Sequence, residues 1–405
     1  MEQKIVDLFD DTEEEEPEPE LTPSKISGAV VWNTDWTVET VLTQLARNNI
    51  DMPEFQRRDA WSRRRKSRYI ESLILGFPVP QIVLAERKEK RGSYLVLDGK
   101  QRLLSILQFT GSDEGSINNN FRLQGLEVLK DDFNRKKLND INHDSLRKST
   151  FEPFYNQTIR AVVIRNWPSR SFLHMLFIRL NSETLPLSPQ ELRQAMFPGE
   201  FIKFADEASR KSQAIKVLLG LNPDEPDLRM RDVELLVRYL AFSFYLSEHR
   251  GSLKGFLDNT CDKLNQSWAE KEEVIKAQVK TFEQAVNAAS KIFGPRNIGR
   301  RWSEEAGGFS PRLNKAILDV IIFYFSDEEI RKKSISEAVN VKDSFKKLCL
   351  DSDDFITSIE MTTKSIKAII TRLQLWGEYL RQATGLSFNI PELKKDGQIN
   401  FAGFW

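Results

Sequence analysis

Apolar positions along the chain fall into short β-type runs and amphipathic stretches as far as about residue 170, and into helical periodicity almost throughout the remainder. Residues 29–32 read as a short strand, and residues 37–46 as a helix whose Val41, Leu42 and Leu45 share one face. Residues 62–75 predict a second helix, with Ile70, Leu73 and Ile74 on its buried side and Gly76 and Pro78 ending it. Two apolar runs, 81–86 and 93–97, flank a charged turn at 87–92 and predict a hairpin. A helix through Leu103 and Leu107 follows at once, with Asp98 as its expected cap. Residues 110–156 are polar and less regular, and 158–165 form another strand candidate. Beyond Ser169 the stretches 233–246, 274–293, 313–325 and 359–383 are helical in pattern, with no convincing strand between them and no repeat of fixed period. The expected fold is therefore α+β: a small mixed sheet flanked by helices, followed by a mostly helical domain.

At 405 residues and 40% hydrophobic content the chain can bury a substantial core, and its length alone suggests roughly two to three domains. The expected division is an acidic disordered tail at 1–26, a sheet-bearing domain at 27–200 and a helical domain at 201–405. The net charge of zero conceals an asymmetry: residues 1–26 hold ten acidic side chains against two lysines, a balance of −8, so the body carries +8. Such a split fits a solubilising tail, or a polyanionic partner for the body with the tail as its competitor. The start of the chain lacks a basic segment followed by an apolar run, and no stretch approaches the roughly 18 apolar residues of a membrane span. A cytoplasmic protein with no membrane partner is expected. Cys261 and Cys349 lie too far apart in sequence to suggest a disulfide framework or a zinc site, and His143, His174 and His249 are isolated. No Walker-type loop, nucleophile elbow or zinc-binding helix motif is present.

Chemistry concentrates where residues 96–103 join an apolar strand to an apolar helix, because the end of a strand and the start of a helix form a natural anion site. Gly99 permits close backbone approach, Arg102 offers a fork suited to phosphate, and Asp98 has three open roles: helix cap, metal ligand or orienter of a water. Further along, Ser188, Pro189 and Glu191 have the spacing of a capping box. Asn181 either ends an amphipathic helix or faces a ligand, and Arg179 and Arg193 either neutralise phosphate or pair with Glu183 and Glu191. Glu234 and Arg238, four apart, read as a surface ion pair. Arg63, Arg64, Arg65 and Lys66 lie in the densest positive cluster, between Trp61 and Tyr69, and Arg300 and Arg301 lie in a second, glycine-punctuated one. Both clusters are candidate DNA contacts, the first with a nucleotide pocket and a solvated helix face as its alternatives and the second with folding back over the pocket as its own.

In order and spacing, 53–57 (Pro-Glu-Phe-Gln-Arg), Trp61, 70–80 and 98–102 (Asp-Gly-Lys-Gln-Arg) resemble the N-terminal domain of GmrSD-type restriction endonucleases. That family carries an Asp-Gly-Gln-Gln-Arg signature and is similar to the ParB and sulfiredoxin fold. The likeness runs from about residue 29 to about residue 330. Lys100 stands where the family has its first glutamine, and Ser182-Glu183-Thr184 stands where glycines often follow the asparagine. The resemblance implies nucleotide binding or hydrolysis in a protein that restricts foreign or modified DNA. Asp98 and Arg102 would be catalytic, and Gln56, Arg57, Gly99, Lys100, Gln101 and Asn181 would bind the nucleotide. A nucleoside triphosphate, with Mg2+ as a further candidate, is the implied cofactor. DNA and a separate nuclease are the implied partners, since the family's nuclease motif has no counterpart in this sequence. The alternative is a non-catalytic DNA-binding adaptor.

Overall fold

The computed structural model describes residues 28–51, 61–88, 90–112, 120–142, 149, 151–181, 188–222, 227, 229–361, 363–394 and 397–401. The chain divides into two compact units between Pro198 and Gly199.

In the first unit β1 (Val30–Thr37), β2 (Ile50–Asp51), β3 (Ile82–Glu86), β4 (Tyr94–Asp98) and β5 (Thr158–Arg165) form one mixed sheet in the order β1-β5-β3-β4-β2. The hairpin is present, β3 against β4, with an irregularity between Val83 and Leu84. β5 lies parallel to β3 and antiparallel to β1, in a register from Val30 opposite Arg165 to Thr37 opposite Thr158. β1 runs five residues past the expected end at Trp32, since the polar residues that follow continue an exposed edge strand. Thr37 then caps α1 (Val38–Ala46) and Ser62 caps α2 (Arg63–Ile74), each accepting a backbone N–H with its hydroxyl.

Helices cover both faces of the sheet. Val41, Ile70, Leu73, Leu84, Leu103 and Val163 share a core on one face, which includes α3 (Lys100–Thr110). On the other face Leu97 and Ile164 pack with Phe172 and Phe177 of α4 (Arg170–Asn181) and Leu192 of α5 (Pro189–Met196). The expected capping box of α5 is complete: Glu191 N donates to the Ser188 hydroxyl at 3.1 Å, and Ser188 N donates to the Glu191 carboxylate at 2.7 Å.

The polar stretch after α3 hides an aromatic core. Phe121, Phe133, Phe151 and Phe154 are buried with Phe109, and each burial contributes about 1.5–3 kcal/mol. Their irregular spacing gives no periodic signal. Glu71 anchors this segment from α2: its buried carboxylate accepts the backbone N–H groups of Glu127, Val128 and Leu129 at 2.8–3.1 Å. Those bonds hold the start of the short helix Lys130–Phe133.

The second unit is helical, with α6 (Glu200–Lys211), α7 (Gln213–Leu219), α8 (Arg231–Tyr245), α9 (Leu253–Gln266) and α10 (Trp268–Phe293) as its first five described helices. α11 (Lys315–Phe325), α12 (Glu328–Ser336), α13 (Ala338–Asp351), α14 (Asp353–Glu360) and α15 (Ile366–Thr384) complete them. Two pairs of two-residue strands, Trp302–Ser303 with Gly308–Phe309 and Glu392–Leu393 with Ile399–Asn400, are too short to register in a hydrophobicity pattern. The reading of Glu234 and Arg238 as a surface pair is overturned, because both are buried. Arg238 instead forks onto Asp319 of α11, with Nη2–Oδ2 at 2.5 Å and Nε–Oδ1 at 3.2 Å, while Lys315 holds Glu234 at 3.1 Å.

Candidate functional site

The strand-to-helix junction is built from its backbone outward. β4 ends at Asp98, and α3 starts from Gly99, whose φ of +100° lies in the left-handed region where residues with a Cβ are strained. A Cβ at this position would also stand 2.6 Å from Ile82 Cγ2 and 3.2 Å from Ile82 Cα on the neighbouring strand. The glycine is therefore required by the turn and by packing on β3. Gly99, not Asp98, occupies the N-cap position of α3, and it has no side chain with which to cap that helix. The expectation of an Asp98 cap is thereby corrected. The left-handed turn carries the carboxylate toward Arg102, one helical turn further on.

Asp98 Oδ2 accepts from Arg102 Nη2 at 2.5 Å, and the same nitrogen donates to the Gln81 carbonyl at 2.9 Å. The pair is largely shielded, with 12% of the Arg102 side chain and 32% of that of Asp98 exposed. Gln101 turns toward α2, where its Oε1 accepts the Trp61 backbone N–H at 3.2 Å. Trp61 meets Tyr69 edge-on with ring centroids 5.9 Å apart, and packs against the core.

Tyr69 enters the sequence reading only as a neighbour of the basic cluster, with no role of its own. Among the described residues its buried hydroxyl has no hydrogen-bond partner, and the buried Nε of Arg102 has none either. Burial raises the Tyr69 phenol above its usual range, while the positive charge of Arg102 acts in the opposite direction. Tyr69 is thus a neutral donor at physiological pH. A buried hydroxyl left without a partner costs about 1–3 kcal/mol, so two such atoms beside a helix start fit a site that receives a polar ligand. Asp98, Lys100 and Arg102 together carry a formal +1, and the N-terminus of α3 adds about half a positive charge. The combination suits phosphate.

Of the other expected nucleotide contacts, Gln56 and Arg57 lie outside the described residues, and so does the loop 182–187. Asn181 is the last residue of α4. Arg193 is buried and donates to the Gln190 side chain at 2.6 Å, so it does not present its charge to solvent. Gln190 Nε2 and both amide atoms of Gln194 are buried on the same helix without a partner among the described residues, an oddity that helical spacing alone gives no means of noticing. Among the described residues no group of three or more His, Cys, Asp or Glu side chains could hold a metal ion.

The basic clusters separate into exposed and internal groups. Arg63, Arg64 and Arg65 are exposed at the start of α2, and the Arg65 guanidinium lies 4.5 Å from the Trp61 ring centroid. Lys66 does not belong with them: it is 2% exposed, and its ammonium donates to Gln108 Oε1 at 2.6 Å. In the second unit Arg300 donates to the carbonyls of Ser310 and Pro311, and Arg301 pairs with Glu360. The first guanidinium braces its own loop, and the second ties that loop to the end of α14. No described helix is long and apolar enough to cross a membrane.

Residues 38–198 match the family model for the N-terminal domain of the GmrSD restriction endonuclease. No curated protein and no solved structure matches the chain.

Proposed function

Residues 38–198 being a GmrSD-type restriction endonuclease N-terminal domain, we propose that this chain is a nucleotide-binding regulator of restriction-type defence against foreign DNA, with its ligand at the start of α3. The observation that carries this reading is the grouping of the Asp98–Arg102 pair, the side-chain-free cap Gly99 and the unpartnered hydroxyl of Tyr69. A nucleoside triphosphate fits it by charge. Its phosphates would meet the helix start and the Lys100 and Arg102 cations, and any Mg2+ would arrive on the phosphates themselves. Asp98, already oriented by Arg102, would position the attacking water, and Arg102 would stabilise charge developing on the transferred phosphoryl group.

The test is phosphate release by the purified protein with each nucleoside triphosphate, with and without DNA. Release that DNA modulates supports a regulator. The adaptor reading draws its support from the same ion pair, because a carboxylate already committed to an arginine can simply brace a strand against a helix. Absence of release with every triphosphate would favour it.

Contact with DNA is assigned to the exposed start of α2. Replacing Arg63, Arg64 and Arg65 together by alanine should weaken DNA binding and reduce the slope of log affinity against log salt by up to about 2.7 on duplex DNA. A gel shift at several salt concentrations measures this, and an unchanged slope would remove α2 from the interface.

A further inference from the structure

The hairpin turn lies at the opposite end of the sheet from Asp98. Val83 pairs with Asp98 and Glu86 with Tyr94, so the turn sits four residues, or about 13 Å, along β4 from the site described above. β5 ends beside it, since Ala85 pairs with Ile164. Together they border an open surface pocket of about 390 Å3 whose lining includes Glu86, Arg87, Lys88, Arg91, Asn166 and Trp167. The one carboxylate among these residues is occupied within the fold. Glu86 Oε1 accepts the Gly92 N–H at 3.0 Å, and Oε2 lies 3.2 Å from Arg165 Nε. Among the described residues of the turn the cations remain as the charged groups that face solvent, with Lys88, which also donates to the Pro168 carbonyl at 3.3 Å, and Arg91 exposed; Glu89 lies outside the described residues.

Aromatic rings are placed among them. Trp167 is fixed by its indole N–H, which donates to the Glu86 carbonyl at 2.7 Å, and the Lys88 ammonium stands 4.4 Å from its ring centroid. Arg165, which holds Glu86, also lies 4.3 Å from the ring centroid of Trp32 on the edge strand β1. Trp32 is 52% exposed, so an arginine backs one face of the ring and the other is open. An exposed large aromatic on a sheet edge is unfavourable for solubility unless something covers it. Basic side chains that follow a phosphate backbone, next to an aromatic face that accepts an unstacked base, are the elements of a single-strand binding surface.

We infer that this end of the sheet binds single-stranded DNA, with phosphates on Lys88 and Arg91 and a base stacked on Trp32. The choice of DNA rests on the reading of the first unit as a DNA-directed domain, whereas the preference for a single strand rests on the open face of Trp32. Bases inside a duplex have no free face to offer it.

The experiment is fluorescence anisotropy of the full chain with a labelled oligodeoxynucleotide, single-stranded and as its duplex, across a salt series. Wild type should prefer the single strand. Trp32→Ala should weaken that binding about tenfold, with Trp32→Phe retaining most of it. Lys88→Ala with Arg91→Ala should lower the salt slope by about 1.4 on the single strand. All these side chains are exposed, so the variants should keep the wild-type circular dichroism and phosphate release. If wild type binds DNA and these variants bind equally well, while the Arg63, Arg64 and Arg65 variant does not, the hairpin inference is overturned and the DNA reading stands. Binding to neither form by wild type would overturn both. A preference for duplex, with Trp32→Ala unaffected, would overturn the single-strand assignment.

Discussion

Alanine at Asp98 or at Arg102 is expected to reduce phosphate release by about a hundredfold or more each, the usual result of removing a positioned base or a charge-stabilising donor. The two losses should not multiply. Each side chain fixes the other through the 2.5 Å contact, so removal of either leaves its partner misplaced, and the double variant should be little worse than the single ones. Arg102→Lys keeps the charge but replaces a rigid planar guanidinium, whose Nη2 meets both the Asp98 carboxylate and the Gln81 carbonyl, with a shorter and more flexible ammonium, so an intermediate rate is expected. Steady-state release assays on wild type and the four variants measure this. Independent, multiplying effects would contradict the paired geometry.

Arg238→Ala is expected to destabilise the helical unit by about 3–5 kcal/mol, because it leaves Asp319 as a buried charge without its fork. For a domain of roughly 200 residues each kcal/mol lowers Tm by about 2–4 °C, so thermal unfolding followed by circular dichroism should shift by about 10 °C. Glu234 and Lys315 complete the group, and their attraction does not replace the lost arginine: the nearest Arg238–Glu234 approach is 3.9 Å, beyond hydrogen-bond reach. Asp319→Ala should cost a similar amount, and the double variant less than the sum. A shift within about 1 °C for Arg238→Ala would show that the group contributes nothing to the fold.

The parts of this structure visible in the sequence are those governed by period and by local chemistry. The helices α1 and α2, the β3–β4 hairpin and the capping box at Ser188 each follow from a few neighbouring residues, and each stands within a residue or two of its expected bounds. Asp98-Gly99-Lys100-Gln101-Arg102 was legible as a strand-to-helix junction for the same reason. What escaped depends on distant pairing. Lys66 and Arg63 look alike in sequence, yet Gln108, 42 positions away, draws Lys66 into the interior. Glu234 and Arg238 have the spacing of a surface pair, and only the approach of Asp319 and Lys315 from α11 buries them. Tyr69 sits on α2 with nothing local to mark it. Its relevance appears once α2 and α3 are packed side by side and the Arg102 charge acts on its phenol. Periodicity reports which face of a helix is buried, and says nothing about which neighbour that face meets.

Calorimetric titration of the full chain with ATP, GTP, CTP and UTP tests the central claim most directly, because it reads binding whether or not hydrolysis follows. Saturable binding of at least one triphosphate, weakened tenfold or more by Arg102→Ala and by Tyr69→Phe, is the expected result. Failure of all four to bind, or binding that both substitutions leave unchanged, would contradict the account and reduce the Asp98–Arg102 pair to a brace between strand and helix.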